Sequence, residues 1–470
     1  MFDVLRAPLS TVLERICPMA DTRVRKPRLY NAIWRWHFYA GIFCIPFVIW
    51  LAVTGSIYLW RPQIEAWLDR PYTHLEMDGP IASPEAQLAA ASRAVPGSEL
   101  SRYQLPEAPD AATQILMKHG DVTRRVYVHP VSAAVLKVEM EDQRPLRVVS
   151  RLHGDLMAGA PGSYLVEIAA CWAIVMILTG LYLWWPRGNV GLAGVIYPRL
   201  RRGGRVFWRD IHATTGIWVS GFALVLIMTG LPWAKAWGGY LGEIRQMTGT
   251  AKGPVDWTIG GKKPQPDGVG GDHAGMHMSG MVTASAAWKP GELDGVIATV
   301  APAGIAPPVQ IAPPIHAGAP WRASSEAADR PQRSEIGVDG TTGAVVSRTG
   351  FADRHVIDRV IGYGIAVHEG ALFGLFNQIV GTITALFLIV LAVSGAIMWW
   401  RRRPVGLLGA PVPLARARFG RALVASVVVL GLYMPMFGAT LLIVLAAEHF
   451  VLARLPKARR WLGLRGPAAT

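Results

Sequence analysis

The sequence predicts a mainly α-helical membrane protein, an internally duplicated bundle of four spans plus a fifth C-terminal span, with two α+β domains carried in its long loops. Three observations predict it. Apolar residues, 51% of the 470, fall in long blocks nearly free of charge rather than in amphipathic stripes. The excess of 47 Lys+Arg over 32 Asp+Glu is gathered in the short loops between those blocks. The first half of the chain repeats its histidines, glycines and tryptophans in the second at fixed spacing.

Residues 1–61 make a cytoplasmic N-terminus and span one, Phe38 to Trp60, preceded by Arg23, Arg25, Lys26 and Arg28. No small-residue cleavage site follows, since Tyr58-Leu59-Trp60-Arg61-Pro62 is bulky, so the block reads as an uncleaved anchor. Residues 62–151 form the first outside domain, with 10 basic and 12 acidic residues from Pro62 to Arg151. Its runs Val126-Tyr127-Val128 and Ala134-Val135-Leu136-Lys137-Val138 read as a hairpin. Residues 152–233 hold spans two (Tyr164 to Trp185) and three (Ile211 to Trp233) around a loop with six basic residues and one acidic.

Residues 234–367 form a second outside domain with 12 charges of each sign. It has an irregular Gly/Pro-rich insert and a second hairpin through Ile336-Gly337-Val338 and Gly343-Ala344-Val345-Val346. Span four, Leu375 to Trp400, lies in residues 368–403. Residues 404–470 then give a cytoplasmic loop, a fifth apolar block (Ala422 to Val451) and a basic tail. Pro435 and Gly438 interrupt that block, leaving one kinked span or a re-entrant hairpin. By the positive-inside rule the basic loops are cytoplasmic and the neutral loops lie outside. The charge is thus topology, and no nucleic-acid partner is expected.

The repeat carries the chemistry. Trp36-His37-x-x-x-Gly41-Ile42 leads to Thr54-Gly55, and Ile211-His212-x-x-x-Gly216-Ile217 leads to Thr229-Gly230, with 18 residues from His to the second Gly in both. His153 precedes Gly180 by 27 residues, as His368 precedes Gly395, and Trp184-Trp185 and Trp399-Trp400 follow. Parallel repeats of this kind are related by an axis along the membrane normal. They would place His37 and His212 at one membrane face, His153 and His368 at the other.

An imidazole at a membrane span needs a partner, and two at one depth on different helices can ligate one haem iron axially. Gly41 and Gly216, one helical turn beyond a histidine, would leave room for a flat macrocycle, and Gly55 and Gly230 for helix contact. The 18-residue separation covers roughly 27 Å of helix, near the hydrocarbon thickness, so a site at each face would form a wire. The Trp pairs are read as interfacial anchors.

The His-x-x-x-Gly spans, the Thr-Gly or Ser-Gly followed by Trp-Trp and Arg, and the Tyr-Val-x-Pro hairpin resemble the PepSY-associated transmembrane family over about residues 28 to 460. The resemblance implies two periplasmic PepSY-like α+β domains in the bacterial inner membrane, b-type haem, and reduction of ferric siderophore on the outer side. His37, His153, His212 and His368 match the family's histidine positions. Two departures stand in the hairpins: His129-Pro130 replaces the family's Asp-Pro, with Ser132-Ala133 where a Gly is usual, and Asp339-Gly340 lacks the Pro.

A second candidate site is the loop His273, Met276, His277, Met278 and Met281, whose imidazoles and thioethers suit copper. Glu369 and Asp155, beside His368 and His153, are candidates to tune a bound haem or to mark the aqueous edge. His74, His119, His129, His316 and His355 read as solvent-facing. Cys17, Cys44 and Cys171 form no C-x-x-C-H, so any haem is held without thioether bonds. No dinucleotide, P-loop, zinc or G-x-S-x-G motif is present in the sequence, which leaves quinol or a separate cytoplasmic reductase as electron donor.

The reading is a di-haem, inner-membrane electron-transfer protein, a haem-dependent ferric-siderophore reductase with two haem b groups. It contacts membrane lipid and a ferric siderophore or other metal chelate. The alternatives are a copper or other metal reductase on the same scaffold, or a non-enzymatic scaffolding or inhibitory membrane protein. A transporter is disfavoured, because spans one to four carry neither paired acids nor broken helices.

Overall fold

A computed structural model describes residues 28–187, 191–251, 288–414 and 419–464. In the first half α1 (Arg28–Leu59) is followed by α2 (Arg61–Asp69), α3 (Pro84–Ala94), strands β1 (Glu99–Gln104), β2 (Thr113–His119), β3 (Val122–Val128) and β4 (Val135–Met140), then α4 (Pro145–Gly154) and α5 (Ala160–Trp184). The second half follows the same order: α6 (Gly204–Gly230), α7 (Lys235–Met247), α8 (Glu292–Val300), β5 (Val309–Ala312), β6 (Trp321–Ser325), β7 (Ser334–Val338), β8 (Val345–Gly350), α9 (Val356–His368) and α10 (Gly374–Arg402). Proline at the first turn of α2, α3 and α4 sets the starting dihedral where no N–H partner is needed. Ser83 caps α3 by accepting from the Ala86 N–H at 3.2 Å.

Five helical stretches among the described residues are long and apolar enough to cross a membrane: Arg28–Leu59, Ala160–Trp184, Gly204–Trp233, Gly374–Arg402 and Pro435–Leu452. The first four form a ring in which α1 packs on α5 and α10, and α6 packs on the same two helices. Side chains such as Trp218, Phe222, Leu386 and Val390 stay exposed on its outside, as expected where the surrounding solvent is hydrocarbon.

At one end of the bundle the strands of both halves form a single antiparallel sheet of order β4-β3-β2-β1-β5-β6-β7-β8. The two halves meet through β1 and β5, with Tyr103 opposite Ile311 and Gln104 opposite Gln310. One apolar core under α3 and α8 draws Leu88, Ile115 and Val126 from the first half and Leu293, Trp321 and Ile336 from the second. Both expected hairpins are present, each with a register shift, at Tyr127/Val128 and Gly337/Val338. Asp339 accepts from the Thr341 and Thr342 N–H groups at 3.1 and 2.7 Å. In the other turn His129 Nδ1 takes that role, accepting from Val131 and Ser132 at 3.2 and 3.4 Å. The imidazole therefore stands in for the missing carboxylate.

Ion pairs seat the sheet on the bundle. Arg144 meets Asp69 at 3.1 Å, and the buried Arg245 meets Asp358 at 2.6 Å, joining α7 to α9. Glu167, buried in α5, accepts from the first N–H groups of α7 at Ala236 and Trp237, 2.8 and 3.0 Å away. Trp60 Nε1 donates across the halves to Thr382 at 3.0 Å.

At the opposite, basic end the interhelical loops fold back. Trp184 Nε1 donates to the Val195 carbonyl and Trp399 Nε1 to that of Leu408, at 2.9 and 2.8 Å. The two Trp-Trp pairs thus fasten matching loops. The last apolar block is a hairpin of α11 (Arg421–Tyr433) and α12 (Pro435–Ala447), turning at Met434, where the backbone leaves helical geometry. A β-carbon on Gly438 would stand 2.9 Å from the Gly431 carbonyl oxygen, so glycine is what lets the two arms meet. Phe437 and Met434 pack on Cys171, Ile174 and Leu231, where α5 meets the third span. The chain then returns to the basic end. There α13 (Pro456–Leu462) is held by Tyr39, whose hydroxyl donates to the Leu462 carbonyl at 2.6 Å, and by Arg35, which donates to the Gly463 carbonyl at 3.0 Å.

Candidate functional site

All four histidines lie inside the ring or at its sheet end, on helices. His37 and His212 sit within α1 and α6, whose helices begin well before the apolar blocks. His153 is the penultimate residue of α4, and His368 the last of α9. The structure brings them together in pairs, one member from each half. The rings of His37 and His212 are 6.4 Å apart between centroids at 82°, and those of His153 and His368 are 6.3 Å apart at 72°. His37 and Thr54, which contacts His153, are 17 residues apart on α1, about 25 Å of helix, so the pairs mark two levels.

Each imidazole is held through Nδ1. His153 faces Thr54 Oγ1 at 3.0 Å and His37 faces Thr179 Oγ1 at 3.1 Å. Both hydroxyls spend their own proton on carbonyls one turn back, Trp50 and Val175, at 2.8 Å. They therefore accept from an Nδ1–H. His368 Nδ1 meets the Leu226 carbonyl at 2.8 Å and Thr229 Oγ1 at 3.2 Å, while His212 Nδ1 meets the Leu391 carbonyl at 3.0 Å and Ser394 Oγ at 3.2 Å. A carbonyl only accepts, so these two nitrogens carry the proton as well. The neutral tautomer assigned this way leaves all four Nε2 lone pairs unused, and among the described residues no hydrogen bond involves them.

The glycines complete these seats. A β-carbon on Gly55 or Gly230 would stand 3.0 Å from the Cε1 of His153 or His368, one on Gly180 would stand 3.1 Å from that of His37, and one on Gly395 3.3 Å from that of His212. Each Thr-Gly or Ser-Gly dipeptide thus offers a hydroxyl to Nδ1 and clears the ring carbon beside it. Gly55 and Gly230 serve the histidines rather than bare helix contact. Beside Gly41 and Gly216 the space is wider, the nearest atoms being Met176 Sδ at 3.9 Å and Leu391 Cδ1 at 3.5 Å.

Two imidazoles on opposite sides of one metal, each bonded at about 2 Å with about 1.2 Å from nitrogen to ring centre, have centroids about 6.4 Å apart. Both observed separations fit this, and the tautomer is the one axial ligation requires. The residues present therefore fit two bis-histidine haems. No group of three or more His, Cys, Asp or Glu side chains placed to hold a metal ion occurs among the described residues.

The sequence pattern of the PepSY-associated TM region matches residues 34–402. The chain belongs to the PepSY-associated transmembrane family. In this PepSY-associated protein the match opens just before His37 and closes at the end of α10, so it takes in both pairs and stops short of the α11–α12 hairpin. No curated protein matches the chain.

The other expected residues fall elsewhere. Glu369 turns toward Arg330, 3.7 Å away, and Asp155 closes α4 with one carboxylate oxygen buried and unbonded. His74 pairs with Asp110 at 2.9 Å, and His355 Nδ1 caps α9 by accepting from Ile357 N–H. The loop with His273, Met276, His277, Met278 and Met281 lies outside the described residues. The sequence reading missed the hydroxyls of Thr54, Thr179, Thr229 and Ser394. Their signal was the hydroxyl residue ahead of every one of the four glycines. Trp233, with its ring 5.7 Å from that of His368, was also missed as a neighbour of the site.

Proposed function

We propose that the protein is a di-haem electron-transfer protein of the bacterial inner membrane that reduces a ferric siderophore or similar ferric chelate in the periplasm. The observation that carries this reading is the pair of histidine pairs, matched in separation and at two levels of one bundle. The matched order of elements in the two halves supports an internal duplication behind them. Haem b, when bound, supplies a one-electron Fe(III)/Fe(II) couple at each pair. His37 and His212 would hold one group, and His153 and His368 the other, with each ring kept in the ligating tautomer by its Nδ1 partner.

The orientation follows from charge. The loops at the basic end carry the Lys and Arg excess and belong in the cytoplasm, so the sheet lies in the periplasm. A donor at the cytoplasmic or membrane side, a quinol or a separate reductase, supplies one electron per ferric ion. A quinol oxidised to quinone gives two electrons, releases two protons and reduces two ferric ions. The Fe(II) product is held less firmly by hard oxygen ligands and leaves the chelate.

The test is a visible spectrum of detergent-purified protein, oxidised and dithionite-reduced, with haem counted against protein by pyridine haemochrome. Two low-spin b-type haems per chain are expected, falling to one in His37→Ala and in His368→Ala. Unchanged haem content in both variants would overturn the ligand assignment. A colourless protein, folded and made in haem-replete cells, would move the reading to a scaffolding or inhibitory membrane protein.

A further inference from the structure

The basic end of the bundle brings two arginines together without an acid. Arg205 stands seven residues before His212 on α6, and Arg402 seven residues after Gly395 on α10. Seven residues are close to two helical turns, so each arginine shares a helix face with the residue at the His212 level, about 10 Å nearer the basic end. The two side chains lie near enough for the charge of Arg205 to act on Arg402. The Arg402 guanidinium rests over the rings of Trp34 and Phe38, 5.2 and 5.4 Å from their centroids, beside His37 on α1. It donates to the Gly409 carbonyl only at 3.4 Å, and neither arginine has an ion pair among the described residues. The acid nearest Arg205 in the chain, Asp210, is already held by Arg199 and Arg209. In the first half the counterparts are Tyr30 and Arg187. There Arg187 lies over the Tyr30 ring at 4.9 Å and donates to the Tyr182 carbonyl at 2.9 Å. Like charges repel, so a convergent pair without a carboxylate makes a seat for an anion.

We propose, resting on the di-haem reading, that Arg205 and Arg402 form the seat for the propionate carboxylates of the haem held by His37 and His212. Haem b carries two such carboxylates on one edge, and placing them beside an apolar bundle needs compensating cations. Guanidinium meets carboxylate through paired N–H donors, and stacking on Trp34 and Phe38 leaves the edge donors of Arg402 free for it. The seat fixes which way the haem is turned, with its carboxylate edge toward the basic end. Two positive charges near the iron also favour the Fe(II) form and raise the potential of the cytoplasmic haem. A phospholipid phosphate offers the same anionic oxygens, and the test separates the two sources.

The experiment reconstitutes the full-length protein, made in haem-deficient cells, with haem b or with its dimethyl ester, which lacks the carboxylate charges, and follows visible spectra and potentiometric titration. In the wild type the ester is expected to bind the cytoplasmic pair about tenfold or more weakly than haem. Arg402→Gln and Arg205→Gln should weaken haem binding to a similar degree and leave ester binding unchanged. Both should lower the potential of one haem only, the one lost in His37→Ala. Arg402→Lys should restore the potential, since the charge returns, but only part of the affinity. Arg205 is exposed, so Arg205→Gln reads the proposal even where Arg402→Gln impairs folding. Equal wild-type affinity for haem and ester, or unchanged potentials in both glutamine variants, would overturn the seat while leaving the di-haem reading standing. Variant effects that appear only when phosphatidylglycerol is added would assign the arginines to lipid phosphate and overturn it as well. Absence of haem from the wild-type protein would overturn both.

Discussion

Gly230 faces the imidazole of His368 so closely that a β-carbon there would lie 3.0 Å from its Cε1. The ring occupies space that any other residue would fill. Gly230→Ala is therefore expected to displace His368 and, on the di-haem proposal, to lower the haem content by one, as Gly180→Ala should do through His37. Gly221→Ala, in the same helix as Gly230, meets nothing within 4 Å and should retain both haems, with a gain of up to about 1 kcal/mol from helix propensity. Haem stoichiometry of the three variants checks this, and retention of both haems in Gly230→Ala would refute it.

The return of α13 to the basic end predicts the topology of the last segment. Arg35 and Tyr39 on α1 bind the carbonyls of Gly463 and Leu462, so residues 28 and 464 lie on one side of the membrane. Reporter fusions at the N-terminus and after Leu464 should give the same sidedness, with a fusion within 99–140 giving the opposite one. Opposite signals from the two ends would mean that α12 crosses alone.

Acid should weaken the sheet end through Glu141. Burial alone would raise its carboxyl, but hydrogen bonds from Arg125 and the charges of Arg125, Arg147 and Arg144 outweigh burial and hold it below the usual glutamate range. A depressed carboxylate adds stability above its unfolded pKa, about 4.3, and loses it as pH falls through the lower folded value. Glu141→Gln should lower thermal stability at pH 7, by about 1–3 kcal/mol, and the gap from wild type should close as pH falls below about 4. A gap that stays constant with pH would show that the charge of Glu141 contributes nothing.

The first hairpin turn rests on an imidazole where its counterpart uses a carboxylate. His129→Ala should cost about 0.5–1.5 kcal/mol by freeing the Val131 and Ser132 N–H groups, and His129→Asp should recover most of it. Thermal unfolding of the two variants against wild type measures this. Equal losses in both would mean the ring acts by packing.

Much of the bundle was legible because span length, loop charge and repeat spacing are properties of a segment by itself. The four spans and both hairpins are legible that way, and the repeat spacing marks the four histidines whose rings the fold pairs. What spacing does not convey is which segment faces which. Thr54-Gly55 and Thr229-Gly230 read as helix-contact motifs until His153 and His368 are seen against them, because these pairings cross from helix to helix. The same blindness hid the β1–β5 junction, where neither strand carries a turn or charge signal naming its neighbour. Pro435 and Gly438 leave two readings of the final block, and the close approach of Gly438 to Gly431 across the turn at Met434 separates them.

The junction of β1 with β5 has a consequence for the chain as a unit. Each histidine pair takes one member from residues 28–184 and one from 204–402, and the sheet is continuous between the halves through the pairing of β1 with β5. Either half made alone would expose an open strand edge and a single imidazole at each level. An exposed edge recruits whatever strand is offered, a second copy included. The covalent link between the halves keeps β1 and β5 at hand for each other, which favours their pairing over that with a strand of another copy.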